Sequence, residues 1–364
     1  MNRKQNVGIV GCGMIADVYI RNIQSVFSDR LHLLGVSSRR RESAWRYAQK
    51  YGIARCYDSY EQMLADPEID IVLNLCPPDA HFAINMQALE AGKHVYCEKP
   101  LAARYQQGVQ LLSYARAQNR YLCCAPDVPL GALIQTARKL VQDGKIGRVV
   151  GASVNLVKPG VETWHPNPDF LYQPGAGPLM DMGPYYLTAL LHMAGPFQSV
   201  CAMDAISFPT RTITSQPRRG QTIQVRVPTY VNALLQLSSG ALATFTATFD
   251  VWKSKLPWLE IYGSEGTLSI SDPNLFGGTI EIAAPGGEYC SVPLLFPYAD
   301  NSRGLGLWDM ARAITMGTEA RTDAAFALHI LETMEAIAQS ARTGRKIALE
   351  TQCRMPEAMP LPQS

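Results

Sequence analysis

The chain has 364 residues, of which 47% are hydrophobic and 18% charged, a length that suits two domains better than one. It is too apolar for disorder, and 33 basic against 31 acidic residues exclude a dedicated nucleic-acid binder. No apolar run approaches the roughly 20 residues that cross a membrane, and no apolar leader precedes the first strand, so a cytoplasmic protein is expected.

The first 126 residues alternate in period. Val7-Gly8-Ile9-Val10 is a short apolar strand, and Met14 to Phe27 has helical spacing. Leu31 to Ser38 is apolar again, and Glu42 to Lys50 reads as a helix. Ile69 to Cys76 is a near-continuous apolar strand ended by Pro77-Pro78, after which Asp79 is expected to cap a helix to about Glu90. His94–Cys97, Tyr105–Ala117 and Tyr121–Ala125 continue as strand, helix and strand. Fully apolar strands alternating with helices imply a doubly wound parallel sheet covered on both faces.

After Asp127 the pattern changes. One more helix, Leu130 to Gln142, is followed by strand-like alternation at Val149–Val157, Thr222–Leu237 and Ala241–Phe249. Trp258–Tyr262 and Thr267–Ile270 read as a hairpin, and Thr279–Ile282 as a further strand. Helices are expected at Pro184–Met193 and Ala324–Ala341, and the Pro-rich tail from Pro356 to Pro362 as loosely held. The expected division is a dinucleotide-binding domain over 1–126 and, over 127–364, an α+β domain with a mainly antiparallel sheet. Nine cysteines without a C-x-x-C pair read as small buried hydrophobes in a reducing compartment, and six scattered histidines give no metal spacing.

Three constellations carry chemistry. Gly11-Cys12-Gly13-Met14-Ile15-Ala16 is a G-x-G-x-x-A run between the first strand and the first helix. Gly11 permits a tight turn, Gly13 lets the backbone approach a pyrophosphate, and the helix N-terminus with Met14 and Ile15 offers N–H groups to the phosphates. Where an NAD site usually carries Asp or Glu on the ribose, this chain has Ser37-Ser38-Arg39-Arg40-Arg41. A hydroxyl followed by guanidinium groups suits a 2′-phosphate, so NADP is preferred over NAD, with Ser38 and Arg39 as its contacts; a solvated basic turn is the competing reading.

The second constellation is Glu98-Lys99-Pro100, at the carboxyl end of a predicted parallel strand and on the same sheet edge as the glycine loop. Asn74, Pro77 and His81, around the neighbouring strand end, are expected to line the nicotinamide-ribose pocket with Glu98 and Lys99. The third is a Gly-rich lead from Gly175 into Asp181-Met182-Gly183-Pro184-Tyr185. Asp181 and Tyr185 share a helix face if the helix begins near Asp181; an N-cap and a core aromatic are the alternative roles.

The glycine loop, Ala88-Leu89-Glu90-Ala91-Gly92-Lys93-His94-Val95, Glu98-Lys99-Pro100 and the lead into Asp181 together resemble the Gfo/Idh/MocA oxidoreductases over nearly the whole chain. The resemblance implies a Rossmann domain followed by a domain with a large open sheet, and assembly as a homodimer or homotetramer through that sheet. It implies NAD(P)-dependent oxidation or reduction of a secondary alcohol or ketone in a sugar, glycoside or cyclitol. By it, Lys99 matches the catalytic lysine and Asp181 the aspartate that positions substrate. Tyr185 stands where many sugar and inositol dehydrogenases carry histidine, as in the glucose–fructose oxidoreductase and dihydrodiol dehydrogenase branch, where a tyrosine is the proposed acid/base. His165 is a rival acid/base; Trp164, Tyr186 and Trp308 are candidate sugar platforms, and Asp127 and Arg303 candidate substrate contacts. The other readings are a redox-assisted eliminase or glycosidase with tightly held cofactor, and a non-catalytic dinucleotide-binding regulator.

Overall fold

In the computed structural model, which describes residues 3–361, six strands near the N-terminus pair in parallel. They are β1 (Gln5–Val10), β2 (Leu31–Ser37), β3 (Arg55–Cys56), β4 (Ile71–Asn74), β5 (His94–Cys97) and β6 (Leu122–Cys124). Their order is β3-β2-β1-β4-β5-β6, the order of a doubly wound dinucleotide-binding sheet. Strands buried on both faces explain the unbroken apolar runs: all four residues of β4 are buried. The connecting helices are α1 (Met14–Ser25), α2 (Arg41–Tyr51), α3 (Tyr60–Ala65), α4 (Pro78–Glu90) and α5 (Tyr105–Ala117). In α1, Ala16, Tyr19, Ile20 and Ile23 form the buried stripe.

By contacts this sheet unit comprises the chain up to Leu130 together with Asn301–Leu328. Sequence patterning placed the boundary at 126/127 and assigned 301–328 to the second domain. The return is chemical as well as spatial. The Gly304 and Gly306 N–H groups donate to Asp127 Oδ2 at 2.7 and 3.1 Å, and Asn22 Nδ2 donates to the carbonyls of Asn301 and Arg303. The segment carries a helix, Leu305–Met316, that the patterning did not single out.

The second unit is Gly131–Asp300 and the chain from His329 onward. It holds α6 (Ala132–Gln142), β7 (Val149–Val157), α7 (Gly177–Ala194) and β8 (Phe197–Ala205). Two short strands, β9 (Thr210–Thr212) and β10 (Thr222–Gln224), pair only with each other. Then come β11 (Tyr230–Leu237), β12 (Leu242–Thr248), β13 (Leu259–Gly263), β14 (Gly266–Ile270), β15 (Ile280–Ala283), β16 (Cys290–Val292) and β17 (Ile347–Ala348). Nine of these strands form one sheet, ordered β16-β15-β14-β13-β7-β12-β11-β8-β17. Only β7 and β12 run parallel; every other pair is antiparallel, including the expected β13–β14 hairpin.

Alternation sorts the two faces of this sheet. Val231, Ala233 and Leu235 of β11 are buried, while Leu234 of the same strand is 59% exposed. A helix, Ala324–Thr343, begins beyond Asp323, whose carboxylate accepts the Ala325 N–H at 2.8 Å. The tail is better anchored than its proline content suggests: Arg138 donates to the Pro356 carbonyl at 2.5 Å, and Gln135 accepts the Met359 N–H at 2.8 Å. Pro362 lies outside the described residues.

Candidate active site

The phosphate-binding loop is built as its residues require. Gly11 has φ +103°, and a Cβ there would stand 2.8 Å from the Leu75 carbonyl carbon, so only glycine fits. Its N–H donates to the Ser37 carbonyl at 2.9 Å, which ties the loop to the end of β2. Gly13 is the N-cap of α1 without a side-chain cap, and a Cβ there would meet nothing within 4 Å. The start of α1 is therefore open on the Gly13 side, next to an exposed Met14 and a half-buried Ile15. This cradle fits a dinucleotide pyrophosphate. Tyr47 holds it from α2, its hydroxyl donating to the Gly13 carbonyl at 2.9 Å. Burial pushes the Cys12 thiol up to about 12, so it stays protonated at neutral pH.

At the end of β2, Ser38 is half-buried and Arg39 and Arg40 are exposed. Arg41 is engaged by Asp58 at 2.8 Å. Burial raises the Cys76 and Cys12 thiols, and the charges of Arg39 and Arg46 respectively act against that rise. Arg46 was not singled out from sequence; its place one turn into α2 was the available signal.

At the next strand ends, Asn74 is fully buried, donating to Asn85 at 2.8 Å and accepting the Cys76 N–H at 3.1 Å. Pro77 caps α4 with Pro78 at its first position, so Asp79 lies in the first turn and is not the cap. His81 does not reach a surface: it is fully buried, its ring nitrogens facing the Pro100 and Cys76 carbonyls. Glu98 accepts from Tyr19 at 2.7 Å and from the Lys99 N–H at 3.0 Å, and the Lys99–Pro100 peptide is cis. Asp127 is also buried, occupied by the two glycine N–H groups, and burial pushes its carboxyl up to about 6. It is a structural anchor rather than a group presented to substrate. Trp308 likewise packs within this unit, its Nε1 donating to Asp29 and its ring 6.5 Å from that of Phe27.

In the second unit, α7 begins at Gly177, seven residues before the expected start, with Pro184 inside it. Asp181 and Tyr185 are therefore one turn apart on one helix face, both half-buried, and Asp181 is not an N-cap. Tyr186 points the other way. Its ring is fully buried and its hydroxyl donates to Asp272 at 2.8 Å, so it offers no stacking face. Asp272 also pairs with Lys158 at 2.9 Å, and the Lys158 ammonium sits 4.7 Å from the centre of the Trp258 ring. Lys158, Trp258 and Asp272 were not proposed from sequence, because they converge from three separate strand ends.

The loop after β7 presents Trp164, 65% exposed, edge-on to His165 at 5.4 Å. His165 Nδ1 accepts the Asn167 N–H at 3.0 Å, which leaves Nε2 to carry the proton of the neutral ring. Beneath this loop Arg211 is buried between Glu162, at 2.7 Å, and Asp250. Tyr172 donates to the same Glu162, and Arg218 pairs with Asp169, so the aromatic loop rests on a bonded frame. Among the described residues no group of acidic, cysteine and histidine side chains is arranged to hold a metal, and no helix is long and apolar enough to cross a membrane.

Residues 5–125 match the family described as "Oxidoreductase family, NAD-binding Rossmann fold" (GFO_IDH_MocA), and residues 134–269 match the GFO/IDH/MocA C-terminal domain. The chain belongs to the Gfo/Idh/MocA oxidoreductase family. Within this family it is 32% identical to the D-glucoside 3-dehydrogenase of Escherichia coli over 59% of this chain and 60% of that one. It thus spans about three fifths of that relative's length. It is 27% identical to a D-xylose 1-dehydrogenase (NADP(+)) of Haloferax volcanii, over 90% of this chain and 95% of the relative. The aldose-aldose oxidoreductase of Caulobacter crescentus, solved with glycerol, superposes with a TM-score of 0.79 at 25% identity, covering 95% of this chain and all of that one.

Proposed function

We propose that this protein is an NADP-preferring oxidoreductase acting on a secondary hydroxyl or ketone of a sugar, glycoside or cyclitol. The observation that carries the reading is the open, uncapped start of α1 beside Ser38 and Arg39, with no acidic side chain at the end of β2. The names of the Escherichia coli and Haloferax relatives support the substrate class, and the latter supports NADP.

Gly11 and Gly13 take the pyrophosphate, with Met14 and Ile15 at the helix start. Ser38 and Arg39 take the 2′-phosphate through charge-assisted hydrogen bonds. Pro77, Glu98 and Lys99 bound the nicotinamide side of the sheet edge, with Asn74 and His81 supporting it from below. The bound dinucleotide supplies the hydride acceptor or donor. Tyr185 takes the hydroxyl proton in oxidation and returns it in reduction. A tyrosine near its ordinary pKa of about 10 is a poor base at neutral pH, so the assignment requires a cation to act on it. The family resemblance gives that part, and the stabilisation of the alkoxide as it develops, to Lys99. Asp181 holds a neighbouring substrate hydroxyl, and Trp164 with His165 forms the polar-aromatic rim.

The outer face of the large sheet carries Met203, Leu234 and Leu242, each more than half exposed, and a second copy covering it as homodimer or homotetramer accounts for that surface. The free, exposed thiols of Cys56, Cys201 and Cys290 suit a reducing compartment, in keeping with a cytoplasmic enzyme. Titration of the purified protein with NADPH and NADH, followed by a screen of polyols for change at the nicotinamide absorbance, tests the reading. Tight NADPH binding with a responding polyol is expected. Tight binding without net redox on any polyol overturns the dehydrogenase in favour of a transient-oxidation enzyme or a regulator. No dinucleotide binding overturns it altogether.

A further inference from the structure

Three side chains meet at one end of the large sheet. Lys158 directly follows β7, Trp258 directly precedes β13, and Asp272 lies just beyond β14. β7, β13 and β14 are antiparallel neighbours, which brings these positions to the same sheet end. The Lys158 ammonium donates to Asp272 Oδ2 at 2.9 Å and stands 4.7 Å from the centre of the Trp258 ring, within cation–π range. The other carboxylate oxygen, Oδ1, accepts the Tyr186 hydroxyl at 2.8 Å and the Asn274 N–H at 3.0 Å. Burial beside Asp272 holds the Tyr186 hydroxyl well above the ordinary tyrosine range, so it remains a donor. Tyr186 directly follows Tyr185, so the cluster is tied to the helix that carries Asp181 and Tyr185.

A strap between strand ends is satisfied by the single Lys158–Asp272 bond, and the cluster holds more than that. An ammonium has three N–H donors, and a carboxylate has about four lone-pair sites. Among the described residues Asp272 is the one hydrogen-bond acceptor of the Lys158 ammonium, so two of its N–H groups remain for a ligand. Asp272 has three lone pairs taken and one left, on the oxygen that faces Lys158. The side chains of Lys158 and Asp272 are 34% and 15% exposed, so both are within reach of a small molecule. The carboxylate and the indole face fix the ammonium in advance, which lowers the ordering cost of binding.

Charge decides the ligand. Lys158 and Asp272 together are neutral. Two donors beside one acceptor match two neighbouring hydroxyls, each of which can accept and donate. A carboxylate only accepts, and it would meet the charge of Asp272. We propose that Lys158 and Asp272 form a subsite for two neighbouring hydroxyls of an uncharged sugar or cyclitol, and that the pair rejects sugar acids. The proposal rests on the reading of the protein as a sugar-class oxidoreductase and names the part of the substrate that this sheet end holds.

The test is ligand-observed NMR binding on the full chain loaded with NADPH. The neutral probes are D-glucose, D-xylose, methyl β-D-glucoside and myo-inositol; the acidic probes are D-glucuronate and methyl β-D-glucuronide. The wild type is expected to bind a neutral probe about tenfold more tightly than the acids, or better. Lys158→Met keeps the stem over Trp258 and loses the donors. It should weaken that probe about tenfold, the loss of a hydrogen bond from a charged group, with NADPH affinity unchanged. Asp272→Asn keeps an acceptor for Tyr186 and removes the counter-charge. It should swing the preference about tenfold towards the acids, a change that loss of structure alone does not produce. Acids that bind the wild type as well as the neutral probes do overturn the selection of uncharged sugars. A neutral probe bound equally by wild type and Lys158→Met, an unmoved preference in Asp272→Asn, or no bound neutral probe at all overturns the subsite. If a probe is oxidised by the wild type and by both variants with the same KM, the subsite falls and the oxidoreductase stands. If NADPH does not bind, the oxidoreductase falls, and the same probes on the free chain decide the subsite.

Discussion

The hydroxyl of Tyr19 donates to Glu98 Oε1 at 2.7 Å, and Glu98 Oε2 accepts the backbone N–H of Lys99 at 3.0 Å. The first helix after the glycine loop thereby fixes the backbone of the residue assigned to catalysis, two strands away in the sheet. Tyr19 is fully buried, and burial beside Glu98 holds its hydroxyl well above the ordinary tyrosine range, so it remains a donor. Tyr19→Phe removes the donor while keeping the ring. It should cost about 1.5–3 kcal/mol, the value of a hydrogen bond to a charged group. Thermal unfolding should show the loss, and an unshifted melting temperature would refute the link.

Lys99→Ala and Tyr185→Phe should each lower turnover by roughly 10²–10⁴-fold, the range for a lost general acid–base group. NADPH affinity should change little in Tyr185→Phe. Steady-state rates on the polyol found by screening give the answer. Near-normal turnover in Tyr185→Phe would move the proton to another group. His165, whose Nδ1 is taken by the Asn167 N–H, is then the first candidate, and His165→Gln the variant to measure.

The first unit was legible because its strands are buried on both faces and its glycine loop has strict steric demands. What escaped there was short or non-periodic: β3 has two residues and α3 six. The return of Asn301–Leu328 depends on the buried Asp127, which one carboxylate in a sequence cannot announce. In the second unit, β8 was missed because its outer half, Cys201 to Ala205, is largely exposed yet mostly apolar, so it shows no apolar/polar alternation. The start of α7 was placed late because Pro184 reads as a first-turn residue, whereas the helix accommodates it internally. Asp181 and Tyr185 were legible as a pair four apart. That Tyr186 turns inward to Asp272 depends on a partner 86 residues away.

Ser38→Asp should shift preference from NADPH towards NADH. A carboxylate there repels a 2′-phosphate and can bond two ribose hydroxyls instead. The ratio of the two dissociation constants should move about 10–100-fold, the equivalent of the roughly 1.5–3 kcal/mol carried by a charged hydrogen bond. Fluorescence titration with both dinucleotides measures it. An unchanged ratio would remove Ser38 from the 2′-phosphate site and leave Arg39 and Arg46 to be tested in turn.

Asp127 makes stability depend on pH in a defined direction. Burial raises its carboxyl to about 6 against the two glycine N–H groups and Arg303, which lower it, and Glu98 adds to the rise. An unfolded aspartate titrates near 3.9. The folded state therefore binds this proton more tightly than the unfolded state. The resulting stabilisation is complete below about pH 4 and is lost as pH rises through about 6. Two units correspond to an amount of order 3 kcal/mol. Asp127→Asn keeps an acceptor for Gly304 and Gly306 but cannot ionise. Denaturant melts between about pH 5 and 7.5 should show the wild type losing stability relative to Asp127→Asn as pH rises. Parallel curves for the two proteins would mean that the carboxylate is as well solvated when folded as when unfolded, which its burial contradicts.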